Sequence, residues 1–252
     1  MVIYKLNNWG KIKNGVQNVW TLFLDMVFPK ECLSCGREGE WLCADCFAGL
    51  KIEKNDRCLF CGFPSPLGRT CPVCSCNFYL DGIFSPGDYG NPVIAELIKK
   101  MKYGFVQEIS LILANFMVLF VDKLNKSSGF EVGGIIGRDA LIIPVPLHKR
   151  RMKWRGFNQA EAIAGKFAAS LGMDMDNSSL TRIVYRQPQV KLKGEKRREN
   201  VKGNFYLNGN VAGKNIILVD DVVTTGSTLN ECARVLKEGG ALTVFGLTAA
   251  RG

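Results

Sequence analysis

The chain has 252 residues, long enough to bury a hydrophobic core as one large domain or as a large domain with a small one. Hydrophobic residues make up 47% and aromatic residues 10% of the sequence, which excludes wholesale disorder. The formal net charge of +10 indicates anionic partners such as phosphates, nucleic acid or acidic surfaces.

The N-terminal segment, residues 1–29, predicts a helix that Pro29 ends. Its apolar residues recur at helical spacing: Val16, Val19, Trp20, Phe23, Leu24 and Val27. We expect the helix to pack on the protein, because its polar face carries few of the cations that a membrane-surface helix uses. No apolar run is long enough to cross a bilayer and no small-residue cleavage site follows, so we expect a cytoplasmic protein without a membrane span.

Cysteines dominate the next segment, residues 30–79, which holds nine of the 10 in the chain. Eight of them form C-x2-C pairs, a spacing that lets both sulfurs face one point: Cys32/Cys35, Cys43/Cys46, Cys58/Cys61 and Cys71/Cys74. Gly36 and Gly62 directly follow the second cysteine of a pair, where a tight turn often needs a positive φ. Eight thiolates in this arrangement predict a small zinc ribbon domain with two structural Zn²⁺ ions.

Two other interpretations of the cysteines are weaker. A disulfide framework requires an oxidising compartment, and we expect no export of the chain. An iron–sulfur cluster is less suitable, because paired C-x2-C motifs differ from the cysteine spacings usual in ferredoxins. The spacing leaves open whether neighbouring or interleaved pairs share an ion, and whether Cys76 replaces Cys74 as a ligand.

Beyond the cysteines, strand-like and helical patterns alternate. "DGIFSPGDYG" predicts a strand and a turn, and "ISLILANFMVLFVDKL" predicts a largely buried helix. Between them, "PVIAELIKKMKYG" predicts a helix whose buried face carries Ile94, Leu97, Ile98 and Met101. After the loop "SSGFEVGG", "ALIIPVPL" predicts a short buried strand that its prolines end. Residues 80–252 therefore predict an α/β domain, a mostly parallel sheet flanked by helices.

A basic cluster follows that last strand in a predicted loop, before a further helix. Its members are Lys149, Arg150, Arg151, Lys153 and Arg155. The inward residues of the helix are Ala160, Ile163, Ala164, Phe167 and Leu171. Parallel sheets bind ligands beyond the carboxyl ends of their strands, so the cluster is a candidate for one wall of a pocket.

The segment "QPQVKLKGEKRREN", residues 187–200, is polar, basic and poor in apolar residues. Its composition favours a solvated loop, because charge runs are usually solvated. A mobile lid that brings cations over an anionic ligand is the alternative.

The stretch "IILVDDVVTTGST", residues 216–228, runs from a predicted buried strand into two adjacent carboxylates, Asp220 and Asp221. A helix begins near Gly226 and ends at a Gly-Gly pair; its inward residues are Leu229, Cys232, Ala233 and Leu236. The turn over residues 224–228 thus lies at a helix N-terminus, where exposed N–H groups and hydroxyls favour an anion such as a phosphate monoester.

The two carboxylates would repel that phosphate, so they must bind something about one sugar-width away. Carboxylates accept hydrogen bonds, and the 2′- and 3′-hydroxyls of a ribose 5-phosphate are suitable donors. Two alternatives stay open: a metal ion held directly by the Asp pair, and hydroxyls that only cap the helix. The sequence has no Walker P-loop and no dinucleotide fingerprint, and the single histidine, His148, argues against a Ser–His nucleophile.

"ILVDDVVTTGST" resembles the 5-phosphoribosyl-1-pyrophosphate (PRPP) motif of type I phosphoribosyltransferases. The whole chain from Phe28 onward resembles the ComF family of competence-related proteins, through the paired-cysteine N-terminus, "PVPLHKRR", "RGFNQA" and "QPQ…KRRENVKGNF" in that order. The resemblance implies a type I phosphoribosyltransferase-like α/β fold, preceded by a small Cys-rich zinc ribbon domain.

The resemblance also implies residue roles. Asp220 and Asp221 would bind the ribose diol and, with Arg197, serve in catalysis. The 5′-phosphate would be held by Thr224, Thr225, Gly226, Ser227 and Thr228. The pyrophosphate, together with Mg²⁺, would be bound by Lys149, Arg150 and Arg151. The segment 187–200 would then be a flexible hood and not a plain loop.

Two functions are compatible with these features. An enzyme would substitute at the anomeric carbon of PRPP, release pyrophosphate and transfer phosphoribose to an acceptor that the sequence does not identify. A non-catalytic module would keep the PRPP or nucleotide pocket, and its zinc ribbon and basic face would engage single-stranded DNA or DNA-processing proteins, in line with the family's link to DNA uptake.

Overall fold

The computed structural model describes residues 29–54, 56–127, 137, 139–184 and 201–252. They divide into two compact units, one ending at Gly49 and the other beginning at Leu50. The predicted N-terminal helix, residues 128–134 of the loop predicted at 127–134, and the segment 187–200 with Arg197 lie outside the described residues, and Ser127 ends a helix. Within the described ranges, no helix combines the length and apolar character that crossing a membrane requires.

The smaller unit is built around the first four cysteines. Its described part contains helix α1, Ala44–Ala48, and an antiparallel bridge between Glu31 and Glu38. Arg37 donates to the carboxylate of Asp45 at 3.0 Å, an exposed ion pair that ties the bridge to the helix. The second four cysteines lie in the larger unit with the sheet. The boundaries of the zinc ribbon domain at 30 and 79 therefore stay a prediction.

The larger unit contains the predicted parallel sheet. Its strands are β1 Gly82–Phe84, β2 Gly87–Asp88, β3 Leu141–Pro144, β6 Asn215–Val223 and β7 Thr243–Arg251. They lie in the order β1-β7-β6-β3, with β2 also paired to β7, and every pairing is parallel. A separate antiparallel pair is formed by β4, Leu180–Arg182, and β5, Phe205–Leu207.

Helices connect these strands, as the alternating pattern predicts. They are α2 Pro72–Ser75, α3 Pro92–Tyr103, α4 Ile109–Ser127, α5 Lys149–Arg155, α6 Gln159–Leu171 and α7 Ser227–Glu238, with a short 3₁₀ turn at Pro66–Gly68. Helix α4 packs on α6, and α6 and α7 pack on β6. The core therefore lies around the central strand that leads into the Asp pair.

The predicted apolar faces of the helices are buried. On α3 the four inward residues are no more than 1% exposed, and on α7 the same holds for its four inward residues. On α6 four of the five are buried and Leu171 is half-buried. Helix α3 begins after Asn91, whose side chain accepts the N–H groups of Val93 and Ile94 at 3.0 and 3.3 Å.

The structure differs from the sequence expectation in two places. The basic cluster forms a helix, α5, and not a loop, because His148 caps its start by accepting the N–H of Arg150 at 3.1 Å and Gly156 ends it with φ +76°. Strand β6 does not stop at Val219 but continues to Val223, because β7 offers it backbone partners along its whole length.

We predict that Leu97→Ala lowers the free energy of unfolding by about 2–5 kcal/mol, because truncating a fully buried leucine loses apolar contact and leaves a cavity. Leu97 on α3 is 0% exposed. Denaturant unfolding followed by circular dichroism measures the change. The matched control is Leu111→Ala on α4, where the leucine is 47% exposed and the expected change is within about 0.5 kcal/mol. Equal effects of the two variants would contradict this account of the core.

Candidate functional site

The Asp pair lies where β6 extends beyond its neighbour β3. The last paired residues of the two strands are Pro144 and Val219, whereas β7 still pairs with β6 at Asp220 and beyond. From Asp220 onward, one flank of β6 is therefore not covered by β3. This is the carboxyl end of a parallel strand, the place at which such sheets bind ligands.

The two carboxylates point to opposite faces of the sheet, because successive side chains of a strand alternate. Asp221 is 6% exposed, and its Oδ1 pairs with Nζ of Lys102 on α3 at 2.8 Å. Burial lowers the pKa of Lys102, but the charge and the hydrogen bond of Asp221, together with the charge of Asp220, outweigh burial and the net pKa is raised. Asp221 is therefore engaged in a sheltered ion pair on the α3 face.

Asp220 is half-buried and lies on the α7 face, where its negative charge raises the pKa of Cys232 and opposes the lowering of the pKa of Arg182. Its Oδ1 accepts the N–H of Asp221 at 2.8 Å. Burial first, and then the charge of Asp221, raise the pKa of Asp220 to about 7, although Lys102 and Arg182 oppose the shift. Hydrogen-bond donors on a ligand would stabilise the charged form of such a carboxylate.

The predicted hydroxyl turn forms the N-terminus of α7. Gly226 is the N-cap with φ +71°, and no side chain caps the helix there. The hydroxyls of Thr225 and Ser227 are 2.9 Å apart, and Thr224 is exposed. Backbone N–H groups and hydroxyls thus gather at the positive end of a helix, which favours an anion.

Basic side chains border the same edge of the sheet. On α5, Lys149 and Arg150 are exposed and Arg151 is half-buried. The sequence reasoning missed Arg182 at the end of β4, a lone arginine in a short strand with no local motif. Its Nε is buried and, within the part of the chain that the structure describes, has no hydrogen-bond partner. Burial, and then the charge of Arg151, lower its pKa, as expected for a buried cation beside a second cation, although the charge of Asp220 opposes the shift.

The cysteines form two groups of four sulfurs, and in each group all ligand atoms lie within 4.8 Å of one another. The groups are Cys32, Cys35, Cys43, Cys46 and Cys58, Cys61, Cys71, Cys74. The Sγ atoms of Cys35 and Cys43 are 3.8 Å apart, and those of Cys61 and Cys71 are 3.5 Å apart. Tetrahedral zinc with Zn–S bonds of about 2.3 Å separates its sulfurs by about 3.8 Å, so both groups fit the ion.

The grouping answers what the spacing left open: neighbouring pairs share a site. Cys76 is exposed and outside both groups, and its Sγ lies 3.2 Å from the backbone O of Val73. Burial raises the pKa of Cys32, but backbone N–H groups, first that of Cys43, outweigh burial and lower the pKa to about 6. In the same way, backbone N–H groups outweigh burial at Cys58 and lower its pKa to about 7. The backbone thus favours the thiolate form, which is the form that binds metal.

Comparison with protein families identifies both parts of the chain. A double zinc ribbon domain matches residues 23–75, and a phosphoribosyl transferase domain matches residues 158–248. The two tetracysteine groups are accordingly structural zinc sites. The class of protein is a zinc ribbon joined to a phosphoribosyl transferase domain, with a mostly parallel sheet flanked by helices.

Curated relatives match almost end to end. The DNA utilization protein YhgH of Escherichia coli O157:H7 is 32% identical over 228 residues, covering 87% of this chain and 96% of that protein. Competence protein F of Haemophilus influenzae is 29% identical over 228 residues, covering 82% and 96%. Competence protein ComFC of Bacillus subtilis is 27% identical over 258 residues, covering 94% and 97%. The chain belongs to the ComF family.

Among solved structures, a phosphoribosylpyrophosphate synthetase from Mycobacterium smegmatis has a TM-score of 0.30 and 19% identity, over 52% of this chain and 33% of that chain. This similarity is too low to inform the fold or the function.

We predict that Cys58→Ser lowers the bound zinc from two ions per chain to about one, because a group of four thiolates loses a ligand. Zinc released by acid and titrated with a chromogenic chelator measures the content. Cys76→Ser is the control and should keep both ions, because Cys76 belongs to neither group. Loss of an ion from the control, or none from Cys58→Ser, would contradict the grouping.

Proposed function

We propose that the protein binds PRPP where β6 leads into α7. The observation that carries the proposal is the uncovered flank of β6 at Asp220, next to the uncapped N-terminus of α7 and within the field of Arg182. A carboxylate, an anion-binding turn and buried positive charge thus border one edge of the sheet. Those are the groups that a phosphorylated sugar with a second anionic arm requires.

Each part of PRPP has a partner in this arrangement. The half-buried Asp220 would accept hydrogen bonds from the ribose diol. The turn over residues 224–228 would hold the 5′-phosphate. The pyrophosphate would lie toward the basic side chains of α5 and β4: Lys149, Arg150, Arg151 and Arg182. Mg²⁺ bound with the pyrophosphate would supply charge neutralisation at the leaving group.

Asp221 needs a separate role in this proposal. Its carboxylate lies on the α3 face and is paired with Lys102, so a direct contact with the diol would exchange that ion pair for the sugar. We therefore propose Asp220 as the first contact, with Asp221 keeping Lys102 close to the sugar edge. Arg197, which lies outside the described residues, keeps its proposed role as a cation over the leaving group.

The chemistry that follows is transfer of phosphoribose to an acceptor. Breaking the bond between the anomeric carbon and pyrophosphate leaves positive charge on the ribose and negative charge on the departing group. Asp220 lies on the side of the ribose, and the cations of α5 and β4 lie on the side of the pyrophosphate. Fixed charges placed in this way favour the charge separation of the transition state.

We predict that Asp220→Asn weakens PRPP binding about a hundredfold and leaves the fold intact, because two hydrogen bonds to a charged acceptor contribute about 3 kcal/mol. Isothermal titration calorimetry with PRPP and Mg²⁺ measures the affinity, and circular dichroism the fold. The control is Asp174→Asn, which alters an exposed carboxylate before β4. Unchanged PRPP affinity in Asp220→Asn would rule out the proposed diol contact.

A second candidate function, binding of single-stranded DNA, is favoured by an exposed aromatic patch that we define as Tyr103, Phe105 and Trp154. These side chains are 61%, 47% and 59% exposed. The ring centroids of Tyr103 and Phe105 lie 6.4 and 5.8 Å from that of Trp154, in edge-to-face contact. Phe105 has φ +57°, an uncommon backbone conformation for a bulky residue.

The charge around the aromatic patch selects an anionic partner. The guanidinium of Arg155 lies 5.8 Å from the rings of both Tyr103 and Trp154, and α5 carries four further cations. Exposed rings beside cations suit a single strand, whose bases stack while its phosphates are neutralised. The names of the relatives refer to competence and DNA utilization. We propose that this chain likewise acts in DNA uptake or utilization.

We predict that Trp154→Ala weakens binding of a fluorescent single-stranded oligonucleotide about tenfold, because one stacked base contributes about 1–3 kcal/mol. Fluorescence anisotropy at several salt concentrations measures the affinity, which should fall as salt rises. Tyr206→Ala is the control, since Tyr206 is 57% exposed and outside the aromatic patch. Asp220→Asn should bind the oligonucleotide normally. A surface specific for single strands would be refuted if Trp154→Ala and Tyr206→Ala weakened oligonucleotide binding equally. It would also be refuted if wild type bound duplex DNA or anionic vesicles as tightly as the single strand.

A further inference from the structure

A zinc knuckle touches the proposed phosphate turn. Leu59 and Phe60 are the two residues between Cys58 and Cys61, ligands of the second zinc site. A methyl carbon of Leu59 lies 2.5 Å from the position that a Cβ would take on Gly226, and the Phe60 ring lies 3.3 Å from it. A side chain at this position would have to displace the Leu59 methyl group, so the knuckle and the N-cap of α7 are in direct contact.

Further contacts hold the same two parts together. The rings of Phe60 and Phe78 are stacked with centroids 3.6 Å apart. Asn230, in the first turn of α7, accepts the backbone N–H of Tyr79 at 2.8 Å and donates its own N–H to the carbonyl of Gly226 at 2.8 Å. The segment that leaves the second zinc site is therefore bonded to the turn that would hold the phosphate.

The conformation of Gly226 depends on what surrounds it. Its φ of +71° belongs to the left-handed region, which glycine enters and leaves at little cost. Gly226 has no side chain of its own to cap α7, and the local side-chain bonds across it come from Thr225 Oγ1, which lies 2.9 Å from the hydroxyl of Ser227 and accepts its N–H at 3.5 Å. The side chain of Leu59 covers Gly226 from outside the turn and restricts the conformations that the glycine can adopt.

We infer that Leu59 is a positioning residue that holds Gly226 in the conformation needed for phosphate binding, and that zinc in the second site keeps Leu59 in place. The inference rests on the proposed function, because it assigns this turn to the 5′-phosphate. Zinc bound by the four thiolates would fix Cys58 and Cys61 on either side of Leu59. Occupancy of this structural site is thereby coupled to ligand affinity through the contact of Leu59 with Gly226.

The experiment compares Leu59→Ala with Val73→Ala. Val73 is the apolar residue of the other knuckle of the same zinc site, between Cys71 and Cys74, and is 79% exposed. Both variants should keep two zinc ions, checked by chelator titration. Calorimetry with PRPP, ribose 5-phosphate and inorganic pyrophosphate then measures three affinities. Leu59→Ala should weaken the binding of PRPP and of ribose 5-phosphate by about the same factor, roughly fivefold to tenfold, and leave the binding of pyrophosphate unchanged.

This pattern separates positioning from a general loss of stability. If Leu59 had a merely structural role, Leu59→Ala would weaken the binding of all three ligands together or of none. Loss of the turn would weaken only the binding of ligands that carry the 5′-phosphate. Leu59→Met should restore binding, because it keeps an apolar side chain of similar volume. Should Leu59→Ala fail to fold, Leu59→Val gives the same comparison with a smaller change.

Hydrogen exchange provides a readout that does not depend on PRPP. Amides of residues 224–230 should exchange faster in Leu59→Ala, and faster in wild type stripped of zinc by a chelator, but not in Val73→Ala. Unchanged exchange and unchanged ribose 5-phosphate affinity in Leu59→Ala would overturn the inference, as would equal losses in Val73→Ala. If the wild-type protein binds no PRPP, the proposed function alone is refuted. Hydrogen exchange would still test whether Leu59 holds the turn.

Discussion

The candidate site depends on a difference in length between two neighbouring strands. Strand β3 ends opposite Val219, while β7 supports β6 four residues further. A strand supported on one side only stays rigid through its backbone hydrogen bonds and still leaves its other flank open. That geometry places the carboxylate of Asp220 on a flank of β6 that β3 does not cover, and it brings α7 to begin at the same edge.

Charges around this edge are compensated unevenly. Asp221 and Lys102 form a closed ion pair on one face of β6. On the other face, Asp220 has a raised pKa and Arg182 a lowered one, the directions expected of a carboxylate and a cation that burial penalises. A ligand that carries both hydroxyl donors and anionic groups would relieve both penalties, which is why we propose PRPP for this face and not a simple anion.

The zinc sites and the aromatic patch extend this arrangement. Leu59, between two cysteines of the second zinc site, contacts Gly226 in the turn that we propose binds phosphate, so the structural metal site and the candidate ligand site are neighbours. The aromatic patch begins at Tyr103, the residue after Lys102, and includes Trp154 from the basic helix. DNA bound there would therefore lie close to the elements proposed to bind the sugar and the pyrophosphate.

Much of this protein can be predicted from local sequence. The four C-x2-C pairs, the apolar faces of α3 and α7 and the turn after the Asp pair are set by spacing within a few residues, and the structure has them as expected. The grouping of the cysteines, the opposite faces of Asp220 and Asp221, the position of Arg182 and the contact of Leu59 with Gly226 depend on tertiary structure. They join residues far apart in the chain, or follow from where a neighbouring strand ends, and neither is written in any short stretch of sequence. Local sequence specifies the chemical groups of this protein and most of the elements that carry them. The folded sheet specifies which of these groups meet, because burial and charge act through space and not along the chain.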